Sequence, residues 1–151
     1  MKHVSVVGAG LVGSLWALFL AKRGYSVDVY ERRKDPRKTG VAEGRSINLA
    51  LSDRGWAALE KVGIGEEVRA HAIPMYRRVM HDVAGQLSFQ PYGKENQAIY
   101  SVSRGGLNRL LVEAAEKQAD VRVHFDHRCV DADIEAGTAT FETDHGPITS
   151  K

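Results

Sequence analysis

Three glycines near the amino terminus have the spacing of a phosphate-binding turn. Gly8, Gly10 and Gly13 form the pattern G-x-G-x-x-G between a short apolar run and a helical pattern. In such a turn the first glycine permits the tight bend, the second lets the backbone approach a pyrophosphate, and the third allows close packing of helix on strand. Phosphate then lies at the helix amino terminus, where unpaired N–H groups and the helix dipole favour negative charge. The sequence therefore predicts a dinucleotide site at this turn.

Glu31 is the predicted acidic partner of the turn. It ends the next β-strand pattern, eighteen residues after Gly13. A carboxylate at this place accepts hydrogen bonds from an adenosine ribose diol. It would also repel a 2′-phosphate, so we expect the adenosine of NAD or FAD rather than that of NADP. A glycine-rich turn in an unrelated α/β protein is the alternative, and the order of strand, turn, helix and acid argues against it.

The elements that position these residues are predicted from hydrophobic periodicity. Residues 3–7 and 26–31 have strand patterns, and the helical pattern between them ends at Gly24. This β-α-β order predicts a parallel crossover unit. Further along the chain we predict helices at 52–63 and 103–118, a strand at 121–125, and two hairpins about Ala84-Gly85 and Ala136-Gly137. The fold class is therefore α/β, a Rossmann-like parallel sheet with crossover helices plus an antiparallel hairpin insert.

The stretch "GRSINLALSDRG", residues 44–55, has two different faces if it begins as a strand. The apolar face, directed to a core, has Ile47, Leu49 and Leu51. The other face is small or polar and comprises Ser46, Asn48, Ala50 and Ser52. Such a face can lie against a flat ring system, and Arg45 can reach an anionic or electron-rich group. We predict that the stretch is one wall of the cofactor site, followed by a helix capped at Ser52 or Asp53 and ended by Gly63.

Composition and charge restrict the class of protein. The 151 residues suffice for one domain, and a net charge of +2 gives no support for nucleic-acid binding. The basic cluster "RRKDPRK", Arg32 to Lys38, is interpreted as a solvated loop, with phosphate contact by one of its arginines as the alternative. A single cysteine excludes an intramolecular disulfide and fits a cytoplasmic location. No run approaches the roughly 20 apolar residues of a membrane span.

The histidines near the only cysteine have a spacing that resembles a metal site. His124, His127 and Cys129 form H-x-x-H-x-C. On a strand, however, His124 and His127 would face opposite sides, so we expect no metal. Cys129 is expected to be a small buried residue. Trp16 and Trp56 lie within helical patterns and are interpreted as packing residues.

The chain resembles the flavin-dependent aromatic hydroxylases over nearly its whole length. The opening "GAGLVGSLWALFLAKRGYSVDVYE" is similar to the FAD-binding start of many flavoproteins. More specific are "GRSINLALSDRG", "IPM" at 73–75, "PYG" at 91–93 and "SVSRGGLN" at 101–108. Within the family these motifs favour the members that hydroxylate L-kynurenine.

The resemblance implies a cofactor, two co-substrates and a set of site residues. It implies FAD with its pyrophosphate at the glycine turn, NADPH as the reductant, and O₂ as the oxygen donor in forming 3-hydroxykynurenine. Matching motif positions place cofactor contacts at Val12, Glu31, Arg33, Ala50, Arg104 and, through its backbone, Cys129. They place substrate contacts at Arg78 and Tyr92. No catalytic residue is assigned.

The chemistry of three of these residues supports their roles. A planar guanidinium at Arg78 can hold the carboxylate of an amino acid bidentately, and the Tyr92 hydroxyl can share it. Both residues lie on arms of one predicted hairpin and could converge; a surface arginine and a turn tyrosine are the alternatives. Arg104, in the first turn of a predicted helix, is unfavourable to the helix dipole and suggests a nearby anion. Its alternative is simple exposure to solvent.

The expected domain organisation is that of a piece of a longer enzyme. Residues 1–151 would be the amino-terminal FAD-binding region, with part of the substrate-domain hairpin at about 74–100. The family's later Asp-Gly and Gly-Asp motifs are not among these residues. We therefore expect the longer protein to have the activity and the 151-residue fragment alone to be inactive. The longer protein could be membrane-associated through a carboxy-terminal region.

Two other functions are weighed against the hydroxylase. An NAD-dependent dehydrogenase would continue with repeated β-α units after Glu31, where this sequence predicts hairpins. A non-catalytic dinucleotide-binding module remains an alternative hypothesis. A yellow protein with a flavin absorbance spectrum would support the flavoprotein, whereas a colourless protein that binds NAD would reject it.

Overall fold

The chain is divided into two units, and the second interrupts the sequence of the first. The computed structural model describes residues 2–39 and 47–151. One unit comprises residues 1–45 and 105–151, and the other comprises residues 46–104. The elements in chain order are β1 (Lys2–Val7), α1 (Leu11–Ala21), β2 (Tyr25–Tyr30), α2 (Pro36–Thr39), β3 (Asn48–Leu51), α3 (Asp53–Val62), α4 (Gly65–Arg69), β4 (Ile73–Met75), β5 (Arg77–His81), β6 (Leu87–Pro91), β7 (Ile99–Ser103), α5 (Arg104–Glu116), β8 (Val121–His124), β9 (Arg128–Asp133), β10 (Thr138–Glu142) and β11 (Ile148–Ser150).

A parallel sheet of order β1-β2-β8 is the centre of the first unit. β1 pairs with β2 from Lys2↔Tyr25 onward, and β2 pairs with β8 from Val27↔Val121 onward, both in parallel. The β-branched residues of β2 bury fully, and α1 buries Leu18. The predicted α/β crossover is therefore confirmed, and β8 takes the third position in the sheet.

A second, antiparallel sheet of order β11-β10-β9 belongs to the same unit. Phe141 on β10 is 0% exposed, and its ring stacks on that of Tyr30 with 4.1 Å between centroids. The Tyr30 hydroxyl donates to Ser150 Oγ at 3.1 Å. The predicted hairpin about Ala136-Gly137 is confirmed, but β11 lies in a stretch for which the sequence predicted no element. Its three residues are too few to show a periodic pattern, and pairing with β10 defines them.

The second unit consists of an antiparallel sheet, two helices and a hairpin. The sheet has the order β3-β7-β4, and β5 and β6 form a separate ladder. Gly85 has φ +79, the left-handed conformation of a tight turn, so the hairpin predicted about Ala84-Gly85 is confirmed. α3 follows Ser52 and ends at Gly63, whose φ is +87. Trp56 on α3 is 5% exposed and meets the Tyr100 ring edge-on, which confirms its packing role.

α5 returns the chain to the first unit. Its buried residues include Leu107, Leu111 and Ala114, as its helical period predicts, whereas Leu110 is only half-buried. In residues 2–39 and 47–151, no helix combines the length and apolar character that a membrane crossing requires.

Candidate functional site

The glycine turn between β1 and α1 shows why two of its three glycines are needed. Gly8 has φ +98, and its amide donates to the carbonyl oxygen of Tyr30 at 2.7 Å. A Cβ at Gly13 would lie 1.9 Å from the carbonyl oxygen of Gly8, so only glycine fits there. A Cβ at Gly10 would meet no protein atom within 4 Å. The space beside Gly10 is thus open, as close approach of a pyrophosphate to the backbone requires.

The start of α1 presents amide groups at this open space. The first helical hydrogen bond runs from the Ser14 amide to the Gly10 carbonyl oxygen at 2.9 Å, so the amides of residues 11–13 precede it. The first turn has no acidic residue, and Val12 is 82% exposed. These features fit an anionic group at the helix amino terminus, because the amide donors and the helix dipole both favour negative charge.

Glu31 lies beside the glycine turn and is tied to it. The residue is 6% exposed, and its Oε2 accepts the Ala9 amide at 3.0 Å. Oε1 accepts the Arg33 amide at 3.0 Å and Arg33 Nε–H at 2.8 Å. A carboxylate has about four acceptor sites, so one on Oε2 is left for a ribose hydroxyl. The structure therefore brings together the turn, Glu31 and Arg33 as the sequence predicted.

The charge state of Glu31 follows from its surroundings. Burial raises the pKa of Glu31, but the hydrogen bonds and charge of Arg33 and the Ala9 amide together bring this pKa below its ordinary value. The carboxyl group is therefore ionised at neutral pH. An ionised carboxylate accepts hydrogen bonds from hydroxyl groups and repels a 2′-phosphate. This agrees with the prediction that the site takes the adenosine of NAD or FAD rather than that of NADP.

The segment after β2 is not the solvated loop that its basic composition suggested. Arg37 is ion-paired with Asp35 Oδ2 at 2.7 Å and also with Glu116 on α5, and Asp35 is 7% exposed. The Arg37 guanidinium holds the pKa of Asp35 below its usual value against the opposing effect of burial. The interpretation as a solvated loop is therefore wrong at Asp35 and Arg37. One signal could have revealed the pair, because Asp-x-Arg repeats the spacing of Glu31 and Arg33.

Two predictions about β8 and β9 are also wrong. Asp126 has φ +59, and the turn there brings the rings of His124 and His127 to 5.5 Å rather than to opposite faces. His124 Nε2 instead lies 2.7 Å from Asp28 Oδ1. No group of three or more His, Cys, Asp or Glu within the described ranges could hold a metal ion. Cys129 is half-buried, not buried, and its thiol donates to the Asp131 carbonyl oxygen at 3.5 Å.

In the second unit, β3 shows the predicted alternation. Asn48 and Ala50 are exposed, whereas Leu49 and Leu51 are half-buried. Ile47 is 45% exposed, contrary to its predicted core position, because β3 begins only at Asn48. Ala50 pairs with Ser101 of β7, and the exposed Arg104 donates its amide to the Ile47 carbonyl oxygen at 2.9 Å. Arg45 and Ser46 lie outside the described residues.

Arg78 and Tyr92 meet on the hairpin. The guanidinium carbon of Arg78 lies 5.7 Å from the centroid of the Tyr92 ring, and both side chains are exposed. Neighbouring Arg77 points to the other face of the hairpin and lies 4.9 Å from the Phe89 ring centroid. The hairpin thus carries one arginine and one aromatic ring together on each face.

The comparisons with known proteins agree with this geometry. A protein-family profile described as an FAD binding domain matches residues 1–148. The kynurenine 3-monooxygenase of Myxococcus xanthus is 50% identical over 142 residues, which are 93% of this chain and 31% of that protein. The kynurenine 3-monooxygenase of Sus scrofa is 47% identical over 137 residues, 91% of this chain and 29% of that protein. The chain therefore spans less than a third of the length of these curated relatives.

Solved structures show the same fold at low sequence identity. The p-nitrophenol 4-monooxygenase of Pseudomonas putida has a TM-score of 0.75 at 21% identity, covering 99% of this chain and 39% of that one. The 2-methyl-3-hydroxypyridine-5-carboxylic acid oxygenase has a TM-score of 0.79 at 20% identity, covering 100% of this chain and 37% of that one. Because the family profile extends over residues 1–148 and the turn, Glu31 and the fold agree with it, the chain belongs to the FAD-binding domain family.

Proposed function

We propose that the complete protein is an FAD-dependent monooxygenase that hydroxylates L-kynurenine to 3-hydroxykynurenine. The observation that carries this proposal is the 50% identity to a kynurenine 3-monooxygenase over 93% of this chain. NADPH would supply two electrons, and O₂ would supply one oxygen atom to the ring and one to water. Bound FAD would provide the redox chemistry, while the protein would bind and orient the cofactor and the substrate and would exclude water from the site.

The residues of the first unit would hold the cofactor. The turn around the pyrophosphate would be formed by Gly8, Gly10, Val12 and Gly13. The open space beside Gly10 and the amides at the start of α1 support this assignment. Glu31 would accept a ribose hydroxyl, with Arg33 and the backbone of Cys129 nearby in the adenosine region. The motif matches imply that three further residues would contact the cofactor, namely Arg45, Ala50 and Arg104.

The hairpin would hold the substrate. Residues 1–151 as a whole would form the amino-terminal FAD-binding region of the longer protein. Within them, residues from about 74 to 100 would form part of the substrate-binding region. Arg78 would pair with the carboxylate of L-kynurenine, and Tyr92 would share that carboxylate through its hydroxyl. The contact between the two side chains supports this role, because the Arg78 guanidinium carbon lies only 5.7 Å from the centroid of the Tyr92 ring.

A different dinucleotide enzyme receives less support. An NAD-dependent dehydrogenase would continue after β2 with further β-α crossovers, whereas the described chain continues with antiparallel pairing of β3, β7 and β4. A non-catalytic module would bind the cofactor without turnover, and the following experiment distinguishes it.

The function is tested by NADPH oxidation in the complete protein loaded with FAD. We expect L-kynurenine to accelerate NADPH oxidation, and we expect the product mixture to contain 3-hydroxykynurenine formed from it. Oxidation that responds to another phenol or aniline, and not to L-kynurenine, would reject the substrate. A flavin-containing protein that oxidises no NADPH with any such substrate would favour the non-catalytic module.

Arg78→Ala should raise the KM for L-kynurenine at least ~10-fold, because a charge-assisted bidentate contact contributes about 1.5–3 kcal/mol. The FAD dissociation constant should stay within about twofold, since Arg78 is assigned to the substrate alone. Arg77→Ala is the matched control, because Arg77 is the adjacent arginine on the other face of the hairpin. Equal losses of substrate and FAD affinity in Arg78→Ala would mean that the residue is structural.

A further inference from the structure

The segment after β2 contains two pairs of an acid and an arginine with the same local geometry. In the first, Glu31 Oε1 accepts the amide and Nε–H of Arg33 at 3.0 and 2.8 Å. In the second, Asp35 Oδ1 accepts the amide and Nε–H of Arg37 at 3.0 and 2.8 Å. Both acids are buried, at 6% and 7% exposure. The segment is therefore built from one repeated turn, acid-x-arginine.

The two pairs differ in what they connect. Glu31 also accepts the Ala9 amide and thus belongs to the glycine turn. Arg37 crosses to α5, where Nη2 donates to Glu116 Oε1 at 3.1 Å and Nη1 donates to Oε2. Its guanidinium carbon also lies 5.6 Å from the Phe125 ring centroid. The second pair therefore fastens the end of the segment to α5 and to the connection after β8.

Backbone hydrogen bonds fasten the beginning of the same segment. The Glu31 amide donates to the His124 carbonyl oxygen at 2.8 Å, and the Glu31 carbonyl oxygen accepts from the His127 amide at 2.9 Å. The Arg33 carbonyl oxygen accepts from the Asp126 amide at 3.2 Å. Between Arg33 and Asp35 there is only Lys34. The path of the backbone around Arg33 is thus held on one side by β8–β9 and on the other by Arg37.

The cost of such an ion cluster suggests a role beyond stability. A buried carboxylate must be paired because removing it from water is costly, and well-packed apolar residues often stabilise a protein as well as a buried ion pair does. What an arginine fork adds is a defined geometry, because its fixed N–H donors bond both Asp35 and Glu116 at once. A defined geometry is useful here because the neighbouring pair contains Glu31.

We propose that Arg37, held by Asp35 and Glu116, is a positioning residue for the adenosine half of FAD. It fixes the path of residues 31–37 so that Glu31 and Arg33 keep the orientation that the ribose requires. The proposal rests on the proposed cofactor role of Glu31, and it is independent of the substrate.

The test uses the complete protein stripped of FAD and titrated with FAD by flavin fluorescence. Arg37→Met should raise the FAD dissociation constant at least ~10-fold, whereas kcat at saturating FAD and the KM for L-kynurenine change less than about twofold. Arg37→Lys should restore only part of the affinity, since one ammonium cannot reproduce the fork. Arg109→Met is the matched control, because it removes an arginine from the exposed Arg109–Glu113 pair on α5, the helix that also carries Glu116. It should leave FAD affinity unchanged.

A double-mutant cycle separates positioning from general stability. In a Glu31→Gln background, Arg37→Met should weaken FAD binding by less than about twofold, because the residue through which it acts is already altered. The same loss in both backgrounds, or unchanged FAD affinity in Arg37→Met alone, would overturn the proposal. If Arg37→Met does not fold, Glu116→Gln keeps the Asp35 pair and should weaken FAD binding about threefold in the wild-type background only. FAD binding that depends on Arg37 in a protein inactive on L-kynurenine would reject the substrate and leave the positioning role intact.

Discussion

Gly13→Ala is expected to lower the free energy of unfolding by about 3 kcal/mol and to abolish FAD binding. The new Cβ would lie 1.9 Å from the Gly8 carbonyl oxygen, which is backbone and cannot rotate away. Gly8 in turn donates its amide to Tyr30 on β2, so a shift of the turn breaks its connection to the sheet. Urea unfolding of the FAD-free complete protein measures the first effect, and an FAD titration measures the second.

Gly10→Ala is the informative comparison, because it changes the same turn without touching protein atoms. Its Cβ would meet nothing within 4 Å. We expect unfolding within about 0.5 kcal/mol of wild type, since no packing mechanism applies. FAD affinity should still fall at least ~10-fold, because the methyl group occupies the space assigned to the pyrophosphate. If Gly10→Ala destabilised the FAD-free protein as much as Gly13→Ala, the open space would have no special relation to the cofactor.

Phe141→Ala is expected to cost about 3–5 kcal/mol of unfolding free energy, as for other fully buried aromatic residues. Phe141 is 0% exposed, and its ring stacks 4.1 Å from Tyr30, so removal leaves a cavity between the antiparallel and parallel sheets of the first unit. Tyr30 is the residue before Glu31, and its carbonyl oxygen accepts the Gly8 amide. FAD affinity should therefore decrease together with stability. Equilibrium denaturation of the FAD-free protein gives the measurement.

Ile134→Ala serves as the control for Phe141→Ala. Ile134 is equally apolar but 93% exposed, so its truncation removes little buried surface. We expect a change within about 0.5 kcal/mol. A cost below about 1 kcal/mol for Phe141→Ala would contradict the assignment of this ring to the core.

The features that the sequence predicted correctly are those encoded over short distances. The glycine turn, α1 and β2 follow one another within thirty residues, so their patterns and their chemistry could be read in a single window. The hairpin turns at Gly85 and Gly137 were found for the same reason, because positive φ favours glycine at these points. The helix α3 was predicted from its start at Ser52 to its end at Gly63.

The features that the sequence missed depend on distant pairing or on short elements. Arg37 pairs with Glu116, which is 79 positions away, so local composition suggested only a solvated loop. α4 has five residues and β11 has three, too few for a periodic signal. His124 and His127 were assigned to opposite faces because the turn at Asp126, a non-glycine residue with positive φ, was not recognised. Tertiary context decided each of these cases.

The position of β8 has a consequence for how the protein is made. Val27 pairs with Val121, so the parallel sheet joins residues separated by 94 positions, and all of the second unit is synthesised between them. Such pairing raises contact order and carries the entropy cost of closing a long loop. The ladders β5-β6 and β3-β7 have left the ribosome before β8 emerges. The parallel sheet, whose first two strands precede the second unit in the sequence, can therefore be completed only after that whole unit has been synthesised.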